Sequence, residues 1–553
     1  MTIHGKMLVH LMILFSVMGC SKKKTSDKKE KPNVVLIMAD DMGYSDIGCY
    51  GGEIATPNID ALAEEGIRFT QFYNTARSCP TRASLMTGLY QHNTGMGWMT
   101  ASNLGHPGYT GDLNNQCVTI AEALDGTDYA KYMTGKWHLT HSDYQKPDAS
   151  NHNWPLQRGF DRFFGHLTGG GGYYHTRTLL SNNRMIEPWE DFYLTRTVSD
   201  STVGMMRDHF NKTKDRPFFF YVAYYAPHRP LHALEEDIEK FRGDYMKGWD
   251  RLREERFKRM QKMGVADSSW KLSERHPRVP AWKDIPEEQK KIWDARMAVY
   301  AAQVHRMDIG IGRIVSVLKE YNELDNTLLV FLSDNGACAE RGGGPELSLE
   351  DLDKLGQANP KQSYRINWAN ASNTPFRWFK KNEYEGGNAT PLVVHWPDEL
   401  GTQTRINKDQ TGHVIDMMPT ILDVAGADYP ESHQGHEIHP VQGKSLLPAL
   451  EGRSFKRGPL FFEHEANRAV RSGNWKLVAN AANNPPYKGE WELYNLKWDR
   501  SETYELSEKY PEKVEELSAM WDQWARENNV YPLDGRGWMP RIRDDHNKAE
   551  TDK

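Results

Sequence analysis

Asn33-Val34-Val35-Leu36-Ile37-Met38-Ala39-Asp40-Asp41 and Thr327-Leu328-Leu329-Val330-Phe331-Leu332-Ser333-Asp334-Asn335-Gly336 share one design, a short apolar run followed at once by acids and amides. Both runs are unbroken rather than alternating, the pattern of a strand covered on both faces, and they have the length of strands rather than helices. Tyr129 to Met133 repeats the design ahead of Gly135-Lys136-Trp137-His138, and Pro217 to Tyr225 repeats it ahead of Pro227-His228. Helical stretches separate these runs: Asn58 to Gly66, Arg82 to Tyr90, and Glu287 to Tyr321, the last opened by Asp284-Ile285-Pro286 with a proline suited to a first turn. The alternation predicts an α/β fold with a large, mostly parallel or mixed sheet and helices on both faces. In an open sheet of this kind, groups just past the carboxyl ends of the strands converge on one crevice. The site is expected there.

The end of the chain changes character. Leu460 to Glu463, Arg468 to Arg471, Trp475 to Val478 and Glu490 to Tyr494 are short strands at hairpin spacing. Pro511 to Asn528 then carries Val514, Leu517, Trp521 and Trp524 at helical spacing, one face of which should pack on that sheet. A smaller C-terminal antiparallel subdomain is therefore expected over residues 455–540, after a catalytic domain over 32–454 and before a polar tail at 541–553. The highly charged stretch from Lys240 to Lys283, with a helix over Trp249 to Met263, reads as a surface insertion with a solvated face.

Lys6 and the apolar run Met7 to Met18 are too short to span a bilayer as a mature helix. Val17-Met18-Gly19-Cys20 looks like a bacterial lipobox, which makes residues 1–20 a signal peptide and Cys20 the lipidated residue. Residues 21–31 are lysine-rich and without apolar side chains, the composition of a solvated tether. The expected location is outside the cytoplasm, periplasmic or held at the outer membrane by the lipid. Only Cys49, Cys79, Cys117 and Cys338 follow Cys20, with no metal-type spacing and no disulfide framework. A formal net charge of −6 over 553 residues gives no footprint for nucleic acid.

Asp40, Asp41, Asp334 and Asn335 offer only oxygen, the donor set of a hard cation such as Ca2+ or Mg2+ rather than zinc. One Asp-Asp pair after a strand ordinarily makes a turn. Two such pairs on separate strands point to a metal. Between them lies Ser78-Cys79-Pro80-Thr81-Arg82, heading the run Arg82-Ala83-Ser84-Leu85-Met86-Thr87-Gly88. This resembles the signature of the type I sulfatases, members of the alkaline-phosphatase-like superfamily, in which the first residue of (Cys or Ser)-x-Pro-x-Arg is oxidised to Cα-formylglycine, an aldehyde whose hydrate attacks sulfur. Counting from Ser78 puts Pro80 and Arg82 in register; counting from Cys79 puts Thr81 and Ala83 there, so Cys79 is the variable residue. A serine-type member implies an anaerobic radical maturase.

The resemblance covers nearly the whole mature chain. Asn33 to Tyr44 matches the first metal segment, Gly135 to Leu139 the Gly-Lys-Trp-His block, and Ser333 to Gly336 the second metal segment. Asn373 to Lys380, with Tyr384-Glu385-Gly386-Gly387 and Pro391 to Pro397, matches the segment carrying the last sulfate-binding lysine, which falls on Lys380 and not Lys381. By that resemblance Asp40, Asp41, Asp334, Asn335 and the residue made from Ser78 hold the metal. Arg82 holds the formylglycine, and Lys136 and Lys380 grip the sulfate. His228 protonates the departing oxygen, and His138 takes the proton that lets sulfate leave. Asn388-Ala389-Thr390 after Gly387 departs from the common family pattern, which leaves the subfamily open.

The implied substrate is a sulfated glycan, of host or algal origin, or an aryl sulfate, with galactose-3-sulfate as one lead from the Asn-Thr-Pro-Phe-Arg form. His106 to Asn114, Gly169 to Arg177 with Tyr173, Tyr174 and His175, and Arg229 with His232 are the candidate recognition segments. Two other readings compete: a phosphodiesterase or phosphonate hydrolase of the same superfamily using unmodified Ser78, and a non-catalytic glycan-binding lipoprotein. The second would be expected to have lost one of the eight acid, amide, lysine and histidine positions, and none is missing.

Overall fold

The computed structural model describes residues 1–2, 31–213, 215–358, 361–401, 405–481 and 489–543. The lipobox with Cys20 and nearly all of the lysine-rich tether lie outside the described residues. Among the described residues, no helix is long and apolar enough to cross a membrane.

Strands numbered in chain order are β1 (Asn33–Ala39), β2 (Ile67–Tyr73), β3 (Ala130–Lys136), β4 (Arg162–His166), β5 (Leu179–Ser181), β6 (Arg184–Met185), β7 (Phe218–Ala223), β8 (Thr327–Ser333), β9 (Ala389–His395), β10 (Arg405–Asn407) and β11 (Gly412–His413). They form one 11-stranded sheet in the order β10-β2-β9-β8-β1-β7-β3-β4-β5-β6, with β11 also on β2. Its centre is parallel: β1 pairs with β8 and β7, and β7 with β3. β9 runs antiparallel to both β8 and β2. The mixed α/β sheet is the one the apolar runs predict.

The unbroken apolar sequence of β1 has a direct packing cause. Val35, Ile37 and Ala39 enter the core on one face, with Val304, Ile311 and Ile314 of the helix Glu287–Glu320. Val34, Leu36 and Met38 enter the core on the other, with Leu85 and Met86 of the helix Ser78–Thr87 and Met418 and Ile421 of the helix Met417–Ala425. All five side chains from Val34 to Met38 are fully buried, and each contributes roughly 1.5–3 kcal/mol by leaving water.

Four further strands, Leu460–His464, Asn467–Ser472, Trp475–Ala479 and Glu492–Asn495, form an antiparallel meander. The helix Pro511–Glu527 packs Leu517, Trp521 and Trp524 onto it. This is the expected small sheet, and it is tied to the large one by buried charge. Lys476 lies 2.9 Å from Glu385 and 3.0 Å from Glu502, and Arg500 lies 2.9 Å from Glu385.

Three local readings are corrected. The third strand extends to Lys136, so Gly135 and Lys136 lie within it rather than after it. A Cβ at Gly135 would stand 1.9 Å from the Ala223 carbonyl, so only glycine lets β3 approach β7 at this point. The helix expected from Arg82 begins at Ser78 and ends at Thr87, where Gly88 closes it in the left-handed conformation. The charged stretch from Lys240 to Lys283 is not a solvated insertion. Its helix, Gly248–Met263, buries Trp249, Leu252 and Met260, and Arg256 is fully buried. The Arg256 guanidinium bonds Asp46 at 2.7 Å and both oxygens of Glu53 at 2.8 Å, so its charge is spent on the loop that follows Asp40-Asp41.

Candidate active site

The carboxyl ends of β1, β3 and β8 bring the sequence-predicted residues together. Asp40 and Asp41 follow β1, Lys136 ends β3, and Asp334 and Asn335 follow β8. Ser78 is the first residue of a helix whose every residue is buried. Arg77 at its N-cap offers no side-chain cap, so the first-turn N–H groups remain directed at whatever lies beyond the helix start. The Ser78 hydroxyl lies 3.4 Å from Asp40 Oδ1 and 3.2 Å from Asn335 Oδ1.

Three buried cations face three buried carboxylates. Lys136 Nζ lies 2.6 Å from Asp40 Oδ2, Lys380 Nζ lies 2.6 Å from Asp41 Oδ1, and Arg82 Nη2 lies 2.9 Å from Asp334 Oδ2. Arg82 also donates to the Lys136 carbonyl at 3.1 Å, which joins the helix to the end of β3. Burial and the neighbouring Asp334 push the Asp40 carboxyl up to about 7, against Lys136 and Arg82. Burial acts in the same sense on Asp41, but Lys380, His228 and Asn335 outweigh it and hold Asp41 below the usual carboxylate range. Asp41 Oδ2 is buried with no hydrogen-bond partner. Three crowded carboxylates, one with an orphaned oxygen and one reluctant to ionise, are a donor set that fits a divalent cation.

His228 Nε2 lies 3.5 Å from Asp41 Oδ2, and Asp40, Asp41 and His228 together could hold a metal ion. A histidine thus stands at the edge of the oxygen donors expected from the sequence. Its Nδ1 faces the Arg229 carbonyl, which accepts only from a protonated Nδ1 and so leaves Nε2 for exchange. Burial pulls the His228 pKa well below its ordinary value, with Asp41 opposing. Burial, reinforced by Lys136 and Arg82, also keeps His138 neutral.

The backbone is held in the left-handed region at Asp41 (φ 67°), Ala76 (φ 54°), His138 (φ 57°) and Lys381 (φ 82°). Such conformations in non-glycine residues persist where the surrounding structure over-determines them. Here they adjoin or carry the site's charged groups. Cross-links between segments supply the constraint: Lys380 N–H donates to the Ala337 carbonyl at 3.1 Å, and Lys381 N–H to the Ala76 carbonyl at 2.8 Å.

The proposed recognition segments divide. Tyr173 is buried and donates to the His228 carbonyl at 2.8 Å, while His232 is buried against the Tyr173 and Tyr174 rings; both build the loop around the histidine. The glycine-rich turn has its own reason, because a Cβ at Gly169 would stand 1.9 Å from His138 Nε2. The segment His106 to Asn114 is held on the C-terminal part through Tyr109, which donates to the Val530 carbonyl at 2.6 Å. Arg229 has over a third of its side chain exposed and bonds Glu340 at 2.8 Å, and His106, His175 and Arg177 are exposed as well.

Glu340 and Arg77, which the sequence reading passed over, complete the rim. Arg77 bonds Glu340 at 2.8 Å, and Lys381 lies 3.5 Å from it. Their position was the available signal: Arg77 immediately precedes Ser78, and Glu340 stands five residues beyond Asn335 in the segment after β8.

The fold and this cluster define a hydrolase of the alkaline-phosphatase-like superfamily. The sulfatase family model matches residues 32–427, and a second, for the C-terminal region of N-sulphoglucosamine sulphohydrolase, matches 375–527. An arylsulfatase of Klebsiella aerogenes is 34% identical over 76% of this chain and 92% of its own. An uncharacterized sulfatase of Schizosaccharomyces pombe is 31% identical over 91% of this chain and 95% of its own. The solved structure of Ps i-CgsB in complex with k-i-k-neocarrahexaose superposes with a TM-score of 0.66 at 25% identity, covering 93% of this chain and 98% of that one. The chain belongs to the sulfatase family and is a sulfuric ester hydrolase.

Proposed function

We propose that this sulfatase acts outside the cytoplasm on sulfated glycans, through a formylglycine made from Ser78 by an anaerobic maturase and a divalent cation, calcium or magnesium. The observation that carries the reading is the Ser78 hydroxyl facing Asp40 and Asn335 oxygens at 3.4 and 3.2 Å, among Arg82, Lys136 and Lys380. A bound neocarrahexaose in the similar structure supports a glycan substrate, and the Klebsiella relative supports aryl sulfates as accessible surrogates. The anchor rests on the sequence alone: lipidation at Cys20 and the lysine-rich tether would hold the enzyme at a membrane.

Asp40, Asp41, Asp334, Asn335 and residue 78 would hold the cation, which supplies charge neutralisation beside the sulfate. A formylglycine hydrate at position 78 would supply the nucleophilic oxygen. Arg82 fixes residue 78 by holding both Asp334 and the end of β3. Lys136 and Lys380 pair with carboxylates of the same cluster and would turn to sulfate oxygens where a cation neutralises those carboxylates. His228 Nε2 carries the proton for the leaving oxygen, and neutral His138 is the base that accepts one afterwards. With Nδ1–H on the Arg229 carbonyl, a proton on Nε2 makes the ring cationic, and because burial depresses the His228 pKa that form requires a pH well below the ordinary histidine range.

Mass spectrometry of the tryptic peptide containing Ser78, from protein produced with an anaerobic maturase, tests the reading. A loss of two hydrogens at Ser78, trapped by an aldehyde reagent, is the expected result. An unmodified serine in protein that still cleaves sulfate esters would overturn the formylglycine, and phosphate diesters would be tried next. His228→Ala provides a second check. Its kcat should fall roughly 100-fold or more on sugar sulfates, whose alkoxide leaving groups need a proton, and less than tenfold on nitrophenyl sulfate. Equal losses on both would remove His228 from the role of acid.

A further inference from the structure

Trp538 is an unusual surface residue: 41% of it is exposed, beside Met539 at 56%. Its ring sits 5.2 Å from that of Trp98, which is 1% exposed. Trp98 is fixed in turn. Its indole N–H donates to Glu465 at 3.0 Å, and the buried Arg541 guanidinium lies 4.8 Å over its ring. Arg541 stands at the start of the expected polar tail, so this part of the C-terminal segment is anchored rather than free.

This platform lies one residue's thickness from the nucleophile helix. Cys79 Sγ, next to Ser78, is 3.5 Å from the Trp98 carbonyl and 3.4 Å from Met99 Sδ, and Arg77 Nε is 3.3 Å from the same sulfur. A continuous polar chain joins the platform to the rim of the active site. Glu465 meets Lys381 at 3.4 Å, Lys381 meets Glu340, and Glu340 meets Arg77 and Arg229. The exposed indole presents an apolar face, and the buried Trp98 and Glu465 link it to the partly exposed carboxylate, ammonium and guanidinium groups of the rim. A pyranose has the complementary build, with C–H groups on its face and hydroxyls around its edge.

Resting on the glycan reading above, the geometry points to Trp538 as a stacking platform for the sugar ring next to the sulfated residue. The polar chain from Glu465 through Lys381 to Glu340 lies between this platform and the active-site rim. Recognition of an oligosaccharide is thereby built from the C-terminal segment and the active-site rim together, and a small aryl sulfate does not reach the platform.

The test measures kcat/KM of the matured enzyme for nitrophenyl sulfate and for sulfated mono- and oligosaccharides of chondroitin, heparin and carrageenan type. In Trp538→Ala, the ratio of kcat/KM for the best oligosaccharide to that for nitrophenyl sulfate should fall about tenfold, mainly through KM. Trp538→Phe, which keeps a ring, should lose less. Wild-type enzyme that cleaves nitrophenyl sulfate but no sugar sulfate would overturn the glycan reading, and the platform with it. Wild-type enzyme that cleaves an oligosaccharide while the ratio stays unchanged in Trp538→Ala would overturn the platform alone. A loss as large on the sulfated monosaccharide as on the oligosaccharide would also overturn it, because the contact would then not be with a neighbouring ring.

Discussion

Replacing Ser78 by alanine is expected to lower kcat for sulfate release by roughly 10^4-fold or more, the scale seen when a hydrolase loses its nucleophile. The fold should survive. The hydroxyl makes only two long contacts, at 3.4 and 3.2 Å, and alanine is well suited to a buried first turn. Thermal unfolding of the variant should therefore lie close to that of the parent, which separates a chemical loss from a structural one. Cys79→Ala is the matching control for register. Burial pushes the Cys79 thiol up to about 11, so it is no thiolate at neutral pH, and its contacts are with Met99 and the Trp98 carbonyl. Its loss should leave turnover within a few-fold. Retained sulfate release in Ser78→Ala, measured as inorganic sulfate, would remove Ser78 from the reaction.

The second large effect lies far from Ser78 in sequence. Arg256→Met should destabilise the protein by about 3–5 kcal/mol, the cost of breaking a buried ion pair from one side. Asp46 would be left buried with no cation beside it, its charge met by neutral donors such as the Tyr300 hydroxyl at 2.6 Å and the Gly43 N–H at 2.9 Å. Urea unfolding followed by fluorescence reads the change. Adding Asp46→Asn removes the stranded charge and should recover part of the loss, so the double variant is expected to be more stable than Arg256→Met alone. A change under about 1 kcal/mol in the single variant would show that the pair carries little of the loop's stability. The physical point is that charge density in a sequence does not distinguish a solvated face from a buried clamp. Trp249, Leu252, Arg256 and Met260 share one side of that helix, and the sequence read only its polar side.

What was legible followed from local rules. Apolar runs ending in polar residues are strands that stop at a crevice, so β1 and β8 and the placement of Asp40, Asp41, Asp334 and Asn335 could be read before any coordinates. The Pro80 and Arg82 spacing fixed the register of Ser78 in the same way. What was hidden depends on contacts between residues far apart in the chain. Glu340 acquires meaning only when Arg77 and Arg229 meet it, and Trp538 only when it lands on Trp98. His228 was read as an acid in a loop, but its nearness to Asp41, 187 positions away, needed the fold. The short stretch after β3 was misplaced because Gly135 and Lys136 look like a turn in sequence, yet the glycine is there to let two strands touch.

A helix in which every residue from Ser78 to Thr87 is buried cannot present its first residue to another enzyme. Any covalent change at Ser78 therefore belongs to the interval before the chain closes around it, when the segment is still extended and reachable. Under the formylglycine reading proposed above, modification would come first and folding second, and a molecule that folded too soon would stay unconverted. A preparation would then contain two fixed populations, converted and unconverted, and its specific activity would record the outcome of a race during biosynthesis rather than an equilibrium property of the finished protein.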